Sequence, residues 1–366
     1  MKLTCLKESL LEGINIVSKA VSSKTTMPIL SCILMEAGDI LKLTANDLEI
    51  GIECIVEANI MKPGVVAVDA KTLGDIVRNL PDSEVFIEVD EDNLVVIDCG
   101  NSHFEKKGKP GDGFPALPQM IPEYSFQIKQ KIFRDMVRQT IFAVGTDEYR
   151  PLLTGSLLEY KNGELVMVSI DGYRVAIRSE KIEKEIPAVR VVIPGKTLND
   201  IMRILQNTED NIDVFVSKKQ IVFADNKFRM LSRTIDGEYM NYSNIIPSQF
   251  DTRVTVDTQI LMASMERAYL MIFDEKSVKY QIKIVIADDK IVITANTETG
   301  SVKEEIMTPV EGDDIEIDFN VRYFIDALKS IDDASVVVSF NKSLSSATLR
   351  PVDGNKFAYM LLALRG

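Results

Sequence analysis

The chain has 366 residues, with 42 Lys or Arg against 55 Asp or Glu and a formal net charge of −13. With 46% hydrophobic and 27% charged residues, it has the composition of a folded globular protein, which excludes disordered and fibrous classes. The acid excess argues against a generally basic nucleic-acid coat or a membrane-surface binder. The length corresponds to two or three domains of roughly 100 to 200 residues.

No apolar run approaches the ~18 residues of a membrane span, and no targeting pattern opens the chain, so the sequence predicts a cytoplasmic protein with no membrane association. Cys5, Cys32, Cys54 and Cys99 are widely spaced without a CxxC pair, and are predicted to be reduced and largely buried. His103 is the only histidine, so histidine metal clusters are impossible and a histidine-dependent nucleophile has one candidate base. No GxGxxG or GxxxxGK[ST] phosphate loop occurs. The expectation is no metal, no cofactor and no catalytic residue.

In chain order, KESLLEGINIVSKAV opens with a helical apolar face of Leu10, Ile14 and Val17. LKLTANDLEIGIE follows as a strand entering a polar turn, then the helix VDAKTLGDIVRNL, then two alternating runs in EVFIEVDEDNLVVID. After the proline-rich FPALPQMIPE the same order returns as KQKIFRDMVRQTIFAV, LVMVSIDGYRVAIRS, IPGKTLNDIMRIL and NIDVFVSKKQIVFAD. Beyond YMNYSNIIPS it returns again, as DTQILMASMERAYLM, IVITANTETGSVKEEI, DFNVRYFIDALKSI and ASVVVSFNKSLSSATLR. Lys71, Lys196 and Arg322 mark equivalent places 125 and 126 residues apart. The repeat predicts an α+β protein of three similar domains, 1–122, 123–249 and 250–366, each with two helices on antiparallel sheets of roughly eight short strands. The two proline-rich segments read as linkers.

The second helix of every repeat carries two basic residues seven apart: Lys71 and Arg78, Lys196 and Arg203, Arg322 and Lys329. Seven residues is two turns, so each pair shares one face, opposite the apolar positions. Arg134, Arg138 and Arg267 add charge on the first helices. A positive stripe recurring in an acidic chain suits a polyanion bound through phosphates without sequence readout. Domains of this size behave as spheres ~35 Å across, so three closed in a ring leave a hole of ~5 Å and six leave ~35 Å, against roughly 20 Å for duplex DNA. Two chains, head to tail, would be needed.

Thr25-Thr26-Met27-Pro28-Ile29-Leu30, Leu43-Thr44-Ala45-Asn46-Asp47-Leu48-Glu49, Asp171-Gly172-Tyr173-Arg174-Val175-Ala176, Phe319-Asn320-Val321 and the tail Leu364-Arg365 together resemble the bacterial sliding clamp, the beta subunit of the DNA polymerase III holoenzyme. The resemblance runs the full chain in matching order, although each motif alone is weak. It implies the DNA-clamp fold, each chain forming half of a closed ring. It further implies a non-catalytic homodimeric processivity factor that encircles duplex DNA and slides. The implied partners are the polymerase III alpha subunit, the clamp loader and other proteins bearing a clamp-binding motif.

By resemblance, Lys24 and Arg150 join the six helical residues in facing DNA; Pro151-Leu152 replaces an aromatic pair found in some relatives. The implied peptide pocket comprises Leu153, Ile170, Gly172, Tyr173, Arg174, Val175, Met240, Asn244 and Ile245. It continues with Asn320, Tyr323, Leu344, Ser346, Met360, Leu361, Leu362, Ala363, Leu364 and Arg365. Tyr173 stands where histidine is common and Ala363 where proline often stands. The implied dimer contact sets Phe104, with Lys106 and Lys107, against Leu270, Met271, Ile272, Glu298, Glu304 and Glu305, opposite charges favouring head-to-tail closure.

Two other readings stay open from residues alone. Phe104 also fits a plain strand core, and DGYR a plain reverse turn. An enzyme would use acids such as Asp47, Glu49 and Asp171 for a metal or for acid–base work, against which repeat-equivalent acids lie in separate domains. A passive scaffold would need no basic stripe.

Overall fold

Helices α1 (Lys7–Val17), α2 (Ala70–Asn79), α3 (Gln130–Arg138), α4 (Gly195–Ile204), α5 (Thr258–Ile272) and α6 (Val321–Lys329) fall where the apolar spacing predicts, two among the described residues of each third of the chain. They are seen in a computed structural model that describes residues 1–22, 25–182, 188–272, 280–298, 300–342 and 345–364. Capping sets several of the helix starts. Asp69 accepts the Thr72 N–H at 2.9 Å ahead of α2, Asp257 the Ile260 N–H at 2.9 Å ahead of α5, and Asn320 the Arg322 N–H at 3.0 Å ahead of α6. Each satisfies an N–H that the first helical turn leaves without a partner.

Among the described residues the strands form four antiparallel sheets in two compact units, residues 1–130 with 203–234 and residues 131–202 with 235–366. The first unit has a five-stranded sheet in the order Ala58–Lys62, Lys2–Leu6, Glu84–Val89, Leu94–Cys99, Ser102–Lys107. Its eight-stranded sheet runs Tyr124–Lys129, Asn211–Val216, Gln220–Ala224, Phe228–Arg233, Ile50–Val56, Leu41–Asn46, Cys32–Ala37, Gly64–Asp69. In the second unit a nine-stranded sheet runs Arg190–Pro194, Gly155–Lys161, Glu164–Ile170, Arg174–Lys181, Phe357–Leu362, Ser346–Pro351, Ser335–Asn341, Thr252–Asp257, Val310–Gly312. A four-stranded sheet there runs Ser301–Met307, Lys290–Asn296, Gln281–Ala287, Ile315–Asn320. α1 packs beside α2 and α5 beside α6, their apolar faces on the strands.

The compact units cut across the sequence repeats because strands pair from one repeat to the next. Phe228–Arg233, closing the second repeat, pairs with Ile50–Val56 of the first, Phe228 opposite Cys54. Phe357–Leu362, closing the third, pairs with Arg174–Lys181 of the second, Phe357 opposite Arg178. Backbone hydrogen bonding thus fuses neighbouring repeats, which alternation along one strand does not reveal.

The segments read as linkers carry neither helix nor strand from 114 to 123 or from 239 to 248, yet they are anchored. Phe114 and Tyr239 are both buried, each in a small apolar cluster. All four cysteines are free and buried, and burial pushes the Cys5 thiol up to about 12 and that of Cys54 to about 11. Such thiols stay protonated and unreactive at neutral pH. No helix among the described residues is long and apolar enough to cross a membrane.

Candidate functional site

The turn between strands Glu164–Ile170 and Arg174–Lys181 is built by its own aspartate. Asp171 Oδ1 accepts the backbone N–H groups of Tyr173 and Arg174 at 2.8 and 3.0 Å, an arrangement that aspartate favours in turns. Gly172 sits at φ 97°, a conformation that side chains disfavour. The turn therefore holds in either reading of DGYR, but its surroundings go beyond chain reversal.

Arg174 is the hub. Its Nε donates to Asp171 Oδ2 at 2.9 Å and its Nη1 to Asp326 Oδ2 on α6 at 2.7 Å. The guanidinium also lies 4.6 Å from the Tyr323 ring centre and 5.5 Å from that of Phe142. Two carboxylates and two aromatic faces satisfy this half-buried cation. Tyr173 projects from the turn, 59% exposed, with its ring stacked on Tyr323 at 6.4 Å. Burial, then the nearby Asp171 carboxylate, raises the Tyr323 hydroxyl above its ordinary pKa, so it stays a neutral hydrogen-bonding group.

The C-terminal tail closes one side. Leu362 donates its N–H to Tyr173 O at 2.9 Å, Ala363 to Ser345 O at 2.8 Å and Leu364 to Asp318 O at 2.9 Å. Ile170, Val175 and Met360 belong to one apolar cluster, against which Leu153, Ile245 and Leu362 pack half-buried. Met240, 52% exposed, and Asn244 stand on the surface. Tyr173, Leu153, Ile245, Met240 and residues 362–364 thus present a mixed apolar and polar surface to solvent.

Several residues predicted to line the pocket are buried in the structure. Ile170, Val175, Met360, Leu361 and Ser346 are buried in sheet positions, because their sheet is covered on both faces: Met360 packs into one apolar cluster and its neighbour Leu361, pointing the other way, into another. Leu344, Arg365 and Lys24 lie outside the described residues. The sequence reading missed Asp326 and Phe142, which complete the setting of Arg174, together with Leu152, Tyr242 and Ile246 of the apolar cluster. No local pattern marks Asp326; its role exists only because α6 meets the turn.

All six basic residues of the stripe, Lys71, Arg78, Lys196, Arg203, Arg322 and Lys329, are exposed. The opposite faces of their helices bury Leu73 and Val77 on α2, Leu198 and Ile201 on α4, and Phe324 and Leu328 on α6. Arg78 pairs with Asp75 at 2.9 Å and Lys329 with Glu266 at 3.1 Å, exposed pairs worth little in water. Arg322 covers the Tyr280 ring at 4.9 Å. Of the added arginines, Arg138 is engaged with Asp332 and Ser330 O, and Arg267 with Glu304.

For the predicted dimer contact, Phe104 is 37% exposed on the edge strand Ser102–Lys107, Lys107 is exposed and Lys106 half-buried beside it, and Leu270 is 74% exposed. Phe104 is therefore no ordinary core residue. Ile272 is instead 5% exposed in its own core and Met271 only partly exposed, since α5 turns that side onto its sheet. The charge contrast is also weaker than the sequence suggests: Glu304 pairs with Arg267 and Glu305 with Lys303. Glu298 is exposed. Asp47 and Asp171 each accept turn N–H groups. No group of three or more His, Cys, Asp or Glu among the described residues is placed to hold a metal.

Three repeated domains with antiparallel pairing between them, and helices that expose matched basic pairs, describe a clamp. The DNA polymerase III beta subunit models match over nearly the whole chain: the N-terminal domain at residues 1–118, the central domain at 127–241 and the C-terminal domain at 243–365. The chain is 34% identical to the beta sliding clamp of Halalkalibacterium halodurans over 98% of both chains. Its fold superposes on a crystal structure titled a putative DNA polymerase III beta subunit from Eubacterium rectale, TM-score 0.94 and 37% identity over the whole of both chains. It superposes equally on the sliding clamp of Bacillus subtilis, TM-score 0.94 and 31% identity over 100% of this chain and 99% of that one. The chain belongs to the bacterial sliding clamp family, the beta subunits of DNA polymerase III.

Proposed function

We propose that two copies of this chain close head to tail into a ring around duplex DNA. The ring slides and tethers the replicative polymerase and other factors, which dock as short peptides at the Asp171–Arg174 turn and the tail. The protein acts by topology and performs no catalysis. The observation that carries this reading is the recurrence of exposed basic pairs on α2, α4 and α6 in a chain of net charge −13. Phosphate contacts from three equivalent helices suit a polyanion held without sequence readout.

Strand pairing supports the closure. In each junction the last strand of one repeat pairs with the strand that follows the polar turn of the repeat before it. Among the described residues, Ser102–Lys107, last in the first repeat, and Ser301–Met307, after the turn of the third, have no such pairing. Both are edge strands of their sheets, and exposed edges invite pairing. Carrying the internal register to a second copy sets Phe104 opposite the partner's Val302. The ring then has six domains, which meets the size of the hole required.

Loading on nicked circular DNA followed by linearisation tests the reading. A ring held by topology runs off the ends, so retention falls to background after cutting. Retention unchanged on linear DNA would refute topological tethering.

A further inference from the structure

The loop before strand Gly155–Lys161 and the turn at Gly172 are not independent. The guanidinium of Arg150 lies where a side chain on Gly172 would begin: a Cβ there would stand 3.0 Å from Nη1, 3.9 Å from Cζ and 4.0 Å from Nη2. The loop is tied down on both sides, with Arg150 donating its N–H to Asp147 O at 3.0 Å, Leu153 to Arg150 O at 2.9 Å and Gly145 to Leu153 O at 2.7 Å. At Gly145 a Cβ would meet Leu153 O at 3.1 Å and Asp171 Cα at 3.6 Å. The loop backbone thus rests against the turn, and the Arg150 fork fills the space that glycine leaves.

Among the described residues, the ion pair of the Arg150 side chain is with Asp147, Nε to Oδ2 at 2.9 Å, and that side chain is half exposed. An exposed pair of this kind is weak and screened by salt. A phosphate offers the same fork a bidentate partner of higher charge. Moving the guanidinium to a phosphate would uncover Gly172. The backbone next to it carries Tyr173, whose ring stacks on Tyr323 and whose carbonyl holds the Leu362 N–H of the tail.

We propose that Arg150 is a positioning residue that couples the two sites in opposition: on Gly172 it holds the peptide-docking turn, and DNA that recruits it loosens that turn. The proposal rests on the reading above, in which this loop faces DNA and the turn takes peptides. Linkage makes the effect reciprocal, so a docked peptide weakens the Arg150 contact with DNA by the same factor.

The test titrates a fluorescent peptide, taken from the alpha subunit of the cognate polymerase, into the full-length protein with and without a saturating short linear duplex at low salt. Duplex occupancy is followed separately by anisotropy. In the unsubstituted protein the duplex should weaken the peptide about fivefold, within the usual range of coupling between sites. Arg150→Ala should bind the peptide more weakly without DNA and lose the response to duplex. Arg150→Lys should still bind duplex but also lose the response, because an ammonium cannot spread over Gly172 as a planar fork does. Gly172→Ala should cost less peptide affinity on the Arg150→Ala background than alone, since only the backbone penalty then remains. Melting curves identify any variant that fails to fold, and the response of the unsubstituted protein does not depend on them. A peptide affinity indifferent to bound duplex overturns the coupling and leaves the docking reading intact. A peptide that does not bind the unsubstituted protein overturns both.

Discussion

His103 reports directly on its two neighbours, Asp98 Oδ1 at 2.6 Å from Nδ1 and Glu105 Oε1 at 3.4 Å from Nε2. The bond to Asp98 first, then that to Glu105, raises the imidazole above its ordinary 6.5. The sign follows from linkage: a raised folded pKa gives stability that is complete below the unfolded value and lost as pH climbs through the folded one. As the only histidine in the chain, it gives a single imidazole signal by NMR. Its midpoint should lie above 6.5, and a midpoint at or below that value would contradict the carboxylate pairing. At this scale the sequence was informative about residue type and silent about partners. Arg174 is recognisable within DGYR, but Asp326, 152 residues away, acquires its meaning only when α6 packs beside the turn.

At the scale of elements, the C-terminal segment divides by burial. Met360 and Leu361 are buried between Arg174–Lys181 and Ser346–Pro351, whereas Ala363 and Leu364 lie beyond the strand, their N–H groups bonded to Ser345 and Asp318. Deleting residues 363–366 should weaken a polymerase-derived peptide tenfold or more, about 1.4 kcal/mol, with melting nearly unchanged. Deleting from Met360 removes a central strand's core packing and should cost roughly 2 to 5 kcal/mol. Equal peptide affinity after the shorter deletion would remove the tail from the docking surface. All six helices were legible because apolar residues at helical spacing bury one face whatever the tertiary context. The sheets were legible only as strands. Their continuation from repeat to repeat depends on which edges meet, and alternation specifies a face without naming a neighbour.

At the scale of the molecule, the open edges at Ser102–Lys107 and Ser301–Met307 predict that Phe104→Glu breaks the dimer by placing a charge in the proposed apolar seam. Sedimentation should then give the 40.9 kDa monomer in place of twice that mass, with circular dichroism unchanged; a stable dimer would argue against that strand as the contact. Neutralising Lys196 and Arg203 should weaken DNA binding on every sequence alike and reduce the salt slope by roughly 0.9 for each phosphate no longer neutralised. A weakening confined to certain sequences would point to base readout instead.

The sequence by itself determined the threefold repeat, the helices, the basic pairs and the family, since each rests on spacing along the chain or on residues held in order. Tertiary structure alone decided which residues are surface and which are support. It buried Ile272, Val175 and Met360, neutralised Glu304 against Arg267, and set Arg150 on Gly172. Burial and pairing belong to the packing between segments distant in sequence, and the chain encodes that packing only through its folded whole.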